Sequence, residues 1–219
     1  MKFIFDLDGT VTATETLPVI AAHFGVMDDI GALTAQTIAG DIPFVESFMR
    51  RVEILGRFSV SETSAVIADI PLLPKVADFI AQHQEECVIA TGNLDVWTAG
   101  LARRFGCDFR SATALVKDDK VEKIDQLLKK ELVVKEVQEA GHYAIYIGDG
   151  HNDAEAMRQA DVAIAVGIVH QPARSVMEIC DFAVYSEHEL VGLLDQIKVA
   201  AMPNTGDFTA PSAAGVGVR

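Results

Sequence analysis

The chain has 219 residues, half of them hydrophobic and 23% charged, which is enough to bury one large core or a main domain with a modest insertion and excludes a disulfide-stapled miniature. Eighteen Lys and Arg stand against 32 Asp and Glu, and the resulting net charge of −14 is a poor footprint for holding a nucleic-acid backbone. No apolar run approaches the roughly 18 residues of a membrane span, and the opening Met1-Lys2-Phe3 reaches Asp6 without the charged flank and apolar stretch of a secretory signal. A cytoplasmic protein with neither nucleic acid nor membrane as partner is expected. Cys87, Cys107 and Cys180 are scattered singly in apolar surroundings, which reads as buried packing rather than zinc or redox chemistry.

In chain order, Lys2 to Asp8 is a short apolar run closed by Gly9-Thr10, the pattern of a buried strand and a turn. From about 13 to 70 the sequence offers helical patterns at 15–25, 28–39, 43–56 and 61–69 but no convincing strand, which predicts an inserted helical cap. Strands are predicted at Cys87 to Ala90, Ala144 to Ile147 and Val162 to Val166, with a weaker one at Phe182 to Tyr185. Helices are predicted near 74–84, 94–105, 130–140, 153–160, 172–179 and 187–198, several with Pro, Asn or Asp in starting positions. Two β-prone pieces around Asp118-Asp119 suggest a small hairpin. Strands alternating with helices mean a mostly parallel, doubly wound α/β sheet of Rossmann type, covered on both faces. The expected organisation is a core of 1–12 and 71–200, a cap of 13–70, and a disordered tail of 201–219 rich in small residues.

Three places carry chemistry. Asp6 and Asp8 stand at the C-terminal end of the first strand, where open parallel sheets bind ligands, and two carboxylates so close repel unless something positive lies between them. In Gly148-Asp149-Gly150-His151-Asn152-Asp153, again at a strand end, the glycines allow close backbone approach and the carboxylates suit a hard cation. Asn152-Asp153 also reads as a plain helix N-cap. Thr91-Gly92-Asn93 sets a hydroxyl and free N–H groups at the same sheet edge, a place for an anion.

Asp6-Leu7-Asp8-Gly9-Thr10 resembles the first motif of the haloacid-dehalogenase superfamily, and Thr91-Gly92-Asn93 and Gly148 to Asp153 resemble its second and fourth. The resemblance implies that Asp6 is a phosphoryl-accepting nucleophile and Asp8 the general acid/base, with Mg²⁺ bound by Asp6, Asp149 and the backbone carbonyl of Asp8, and Asp153 supporting it. It implies that Thr91 and the Gly92 amide bind the phosphoryl group. The family's third motif is a lysine opening the helix before the second acidic strand, followed by apolar residues three, four and seven positions on. Lys130 has Val133, Val134 and Val137 at those offsets, whereas Lys129 has Leu132, Val133 and then Glu136; Lys130 is preferred, with Lys129 the alternative.

Thr14-Glu15-Thr16 and the stretch from Gly40 to Val52 are similar to the cap of phosphoserine phosphatases, which implies that Glu15 holds a substrate ammonium and Arg51 its carboxylate. Phe44, Gly92, Asn93 and Asn152 complete the implied substrate-binding set. Asn93 departs from the usual Ser-Gly-Gly, and His151 stands where the family has a small residue. The implied activity is a phosphomonoesterase working through an aspartyl phosphate on a small phosphorylated metabolite, phosphoserine first, as a monomer or homodimer. The rival readings are a phosphatase or phosphotransferase for another metabolite and, from a different class, a receiver-like phosphoacceptor domain.

Overall fold

The computed structural model describes residues 1–39 and 41–201. Seven strands form one sheet: β1 (Lys2–Phe5), β2 (Cys87–Leu94), β3 (Asp108–Lys117), β4 (Lys120–Gln126), β5 (Ala144–Gly148), β6 (Val162–Val166) and β7 (Phe182–Val184). Their spatial order is β4-β3-β2-β1-β5-β6-β7, and every pairing is parallel except that of β3 with β4. The expected α/β class is therefore observed. Because both faces are covered, strand residues are apolar on both sides. Phe3, Phe5, Ile89, Ile145, Ile147, Ile164 and Val166 pack into one core cluster, while the intervening Ile4, Val88, Ala90, Tyr146, Ala163 and Ala165 pack into the other.

Ten helices follow the chain among the described residues: α1 (Thr16–His23), α2 (Met27–Ala39), α3 (Phe44–Leu55), α4 (Val60–Ala68), α5 (Pro74–Gln82), α6 (Asp95–Ala102), α7 (Lys130–Glu139), α8 (Ala154–Gln159), α9 (Arg174–Met177) and α10 (Glu187–Ala201). The face with the larger side chains receives residues of α5, α6 and α10, and the face with more alanine receives residues of α7 and α8. Helices α1 to α4 leave and rejoin the sheet at one place: Thr12 bridges Leu72, and Ala13 N–H donates to Pro71 at 2.8 Å. Ile20, Phe48, Val52, Leu55 and Ile67 of these helices belong to the same cluster as Phe3 and Phe5, so apolar contact continues from the sheet into them.

The β3–β4 turn has Asp118 and Asp119 at φ 50° and 58°, the left-handed pair of a two-residue hairpin. The hairpin is larger than expected, because β3 begins at Asp108 and its first half pairs in parallel with β2. Its tip reaches the helical segment: Asp119 accepts from Ser59 Oγ at 2.5 Å and from Ser61 Oγ at 2.7 Å beside the start of α4. The cysteine expectation needs correcting. Cys87 is buried in β2, but Cys107 and Cys180 are only half-buried, since both lie in connections leading into edge-ward strands rather than in a central one. Of the expected tail, Ala201 instead closes α10 and 202–219 lie outside the described residues; no described helix is long and apolar enough to cross a membrane.

Candidate active site

Successive connections run from β1 toward β2 on one side and from β5 toward β6 on the other, so the sheet divides its loops between β1 and β5. Such a point leaves a crevice beyond the carboxyl ends of the strands. Asp6 follows β1 and is tied to its neighbour by an amide donating to the Ile147 carbonyl at 2.8 Å. Asp149 follows β5, and both aspartates are buried at 5% exposure.

Lys130 begins α7, a position where the helix dipole opposes a cation. Its ammonium is buried against Asp6 Oδ1 and donates to Asp153 Oδ1 at 2.7 Å. Asp153 is held on every side: Tyr146 Oη donates to Oδ1 at 2.7 Å, and the Asp149 and Gly150 amides donate to Oδ2 at 3.1 and 2.9 Å. Lys129 is exposed, so of the two candidates Lys130 is the one that reaches the crevice.

Asp8 is fixed from two directions. The Thr16 amide donates to its Oδ1 at 2.6 Å, and Asn93 Nδ2 donates to its Oδ2. Asn93 also contacts Thr91 Oγ1, at 3.1 Å from its amide and 3.2 Å from Nδ2. Here the local structure differs from expectation: Thr91-Gly92-Asn93 is not a turn after the strand but lies within β2. Thr91 pairs with Ser111 and Leu94 with Ala112, which leaves Gly92 and Asn93 as a bulge from which Asn93 reaches Asp8.

Glu15, just ahead of α1, reaches His170 from the loop after β6, with His170 Nε2 2.8 Å from Glu15 Oε1 and 3.2 Å from Asp149 Oδ2. Thr10 Oγ1 donates to Asp149 Oδ1 at 3.0 Å. Arg51 on α3 is half-buried, and its Nε donates to the Ser47 carbonyl at 3.3 Å. Burial lowers the Arg51 pKa, while Glu15 and Asp8 pull it back up. Asn152 lies over Gly150, where a Cβ would collide with its Oδ1. Phe44 opens α3, and its side chain is outside those described. Sequence reasoning missed His170 and Tyr146. The tyrosine hydroxyl in an otherwise apolar buried strand was the available signal for the second.

The electrostatics are those of crowded carboxylates. Burial, then Asp153, raises Asp6 well above the usual carboxylate range. Burial, then Glu15, lifts Asp8 to about 6, and burial, then Asp153, lifts Asp149 to about 7. Burial works against the Lys130 ammonium, but Asp153 and Asp6 outweigh it and hold it charged. The buried Lys130 ammonium thus pairs with Asp6 and Asp153, while the His170 ring stands 3.2 Å from Asp149. Oxygens of Asp6, Asp149 and Asp153 lie within 4.8 Å of one another, a donor set of hard oxygens that fits a divalent cation. Each Asp153 oxygen already accepts two hydrogen bonds, which fixes the orientation of that carboxylate.

Residues 3–158 match the haloacid dehalogenase-like hydrolases, and the chain belongs to that family. Within the family its similarity runs to phosphoserine phosphatases. That of Halobacterium salinarum is 27% identical over 213 residues, covering 90% of this chain and 98% of its own. That of Streptomyces coelicolor is 25% identical over 192 residues, covering 80% of this chain and 47% of its own, so the present chain spans about half of that relative. Among solved structures, a HAD family hydrolase from Salmonella enterica serovar Typhi matches with a TM-score of 0.75 at 25% identity, covering 88% of this chain and 70% of the other. A substrate-bound phosphoserine phosphatase matches with a TM-score of 0.74 at 20% identity, covering 88% and 98%, a likeness of fold.

Proposed function

We propose that the chain is a Mg²⁺-dependent phosphomonoester phosphatase working through an aspartyl phosphate on Asp6, with phosphoserine or a similar small amino-acid phosphate as substrate. The observation that carries this reading is the buried Asp6 carboxylate, held by Lys130 and facing Asp149 at the sheet's dividing point. Lys130 holds the Asp6 carboxylate, one oxygen of which attacks phosphorus while the other would bind the cation. The new bond forms from Asp6 as the bond to the leaving alkoxide breaks, and Asp8 gives that alkoxide a proton. Asp8 then takes a proton from the water that attacks the aspartyl phosphate, and phosphate leaves with Asp6 regenerated. A carboxyl lifted to about 6 is suited to both transfers. Asn93 and the Thr16 amide orient it. Thr91 and the Gly92 amide would bind the phosphoryl oxygens, and Lys130 would offset the negative charge.

Asp6, Asp149 and the Asp8 carbonyl would hold the cation, which when bound supplies Lewis-acid charge at the phosphoryl oxygens. In this reading 13–70 is a cap over the core of 1–12 and 71–200, supported by the single crossing at Thr12 and Leu72. The small substrate would lie between cap and core, in the cytoplasm.

The test is phosphate release from a panel of phosphoserine, sugar phosphates and nucleotides. Multiple turnovers are expected, with phosphoserine preferred; a single stoichiometric phosphorylation without turnover would favour a receiver-like phosphoacceptor. EDTA is expected to abolish release and Mg²⁺ to restore it. Ca²⁺ should substitute poorly, because it accepts more ligands at longer range and would draw both oxygens of Asp6 into coordination. Full activity in metal-free buffer would refute a metal role for Asp149.

Arg51→Ala is expected to lower kcat/KM for phosphoserine roughly 10- to 150-fold relative to an aryl phosphate, the worth of one charge-assisted hydrogen bond of about 1.5–3 kcal/mol. Arg50, exposed and paired with Glu46 at 2.6 Å, should matter little. Equal losses on both substrates would assign Arg51 to the fold or the phosphoryl group and remove the amino-acid substrate.

A further inference from the structure

The loop after β6 crosses the crevice and sets His170 against two residues from different parts of the chain. Its Nε2 meets Glu15 Oε1 at 2.8 Å on the helical side and Asp149 Oδ2 at 3.2 Å on the sheet side. The ring's seat is built by the backbone. Gly9 turns at φ +68°, and a Cβ there would come within 2.8 Å of His170 Nε2. The left-handed turn after Asp8 therefore requires a glycine twice over, once for its conformation and once for the space the imidazole needs.

This contact constrains Glu15. The side chain is 43% exposed, precedes α1 rather than lying within it, and is long enough to swing into solvent. A carboxylate free to rotate pays the entropy of ordering when it meets a ligand. One held at Oε1 by His170 presents Oε2 in a fixed direction. Electrostatic recognition gains most from such pre-ordering.

We propose that His170 is a specificity-determining positioning residue: it fixes Glu15 from across the crevice, so that the free carboxylate oxygen receives the ammonium of an amine-bearing phosphomonoester. This rests on the substrate reading above, in which Glu15 is the ammonium partner. His170 acts through Glu15 and touches none of the reacting atoms. Its link to Asp149 ties the amine pocket to the phosphoryl site, so that head-group recognition and phosphoryl position share one loop.

The experiment compares kcat and KM for phosphoserine, phosphoethanolamine and p-nitrophenyl phosphate in the wild-type protein, His170→Ala, His170→Gln, Glu15→Ala and the Glu15→Ala/His170→Ala double variant, all with Mg²⁺. His170→Ala is expected to lower the ratio of kcat/KM for either amine substrate to that for p-nitrophenyl phosphate about tenfold, chiefly through KM. His170→Gln keeps an N–H donor and should stay within about threefold of the wild-type ratio. In the double variant the ratio should fall no further than in Glu15→Ala, since one residue works through the other. An unchanged ratio in His170→Ala, or additive losses in the double variant, would overturn the proposal while leaving the phosphoserine reading intact. Wild-type turnover of p-nitrophenyl phosphate alone would overturn both and leave the phosphatase class standing.

Discussion

Asp6→Asn is expected to reduce turnover of every phosphomonoester by a factor on the order of 10⁴ or more, the scale seen when a covalent nucleophile is removed. An amide oxygen is a poor nucleophile toward phosphorus, and an uncharged side chain is a weak ligand for a hard cation. The substitution is nearly isosteric, and Lys130 keeps its contact with Asp153 at 2.7 Å, so the buried ammonium is not orphaned. Replacing the carboxylate with a neutral amide also removes the burial cost of a charge and the repulsion from Asp153, the two causes that raise Asp6. Folding should accordingly be preserved, with a melting temperature near that of the wild-type protein. A brief reaction with phosphorus-labelled substrate should leave label on the wild-type chain and none on the variant. Substantial turnover by a folded Asp6→Asn protein would remove Asp6 from the chemistry.

The parts of this fold that were legible in the sequence are those where burial leaves a local trace. Strands β1, β5 and β6 are apolar on both faces, so they read as unbroken runs. The start of β3, with Asp108, Arg110 and Ser111, lies farther from the sheet's centre, and its charged residues hid it. The acidic positions were legible because strand ends in a parallel sheet converge on one edge. Lys130 was legible through register, since Val133 and Val134 are buried and fix which lysine faces inward. The contact between Glu15 and His170 joins residues 155 positions apart, and the loop carrying the histidine has no periodicity to betray its direction. The bulge at Gly92 and Asn93 was equally silent, because it depends on how β3 pairs with β2.

Lys130→Met should affect stability and chemistry together. The ammonium is 3% exposed and bridges Asp6 and Asp153, and Lys129 beside it faces solvent. Breaking a buried ion pair by removing one partner costs about 3–5 kcal/mol, because the remaining charge keeps its burial and loses its compensation. At roughly 2–4 °C per kcal/mol for a chain of this size, Mg²⁺-free melting should fall by about 6–20 °C. The deficit should depend on pH with a definite sign. Burial already raises Asp6 in the wild-type protein, and without the lowering effect of Lys130 it is raised further, so the folded variant binds more protons than the folded wild type and gains stability relative to it as pH falls. The gap in melting temperature should therefore narrow between pH 7.5 and 5.5. Activity should drop at least on the order of 10²–10³-fold, the scale for losing one preorganised charge-stabilising donor. Lys129→Met, the control one residue away, should move neither quantity appreciably. A variant that melts with the wild-type protein at both pH values would show that Asp6 and Asp153 do not need this ammonium, and retained activity would take Lys130 out of the phosphoryl site.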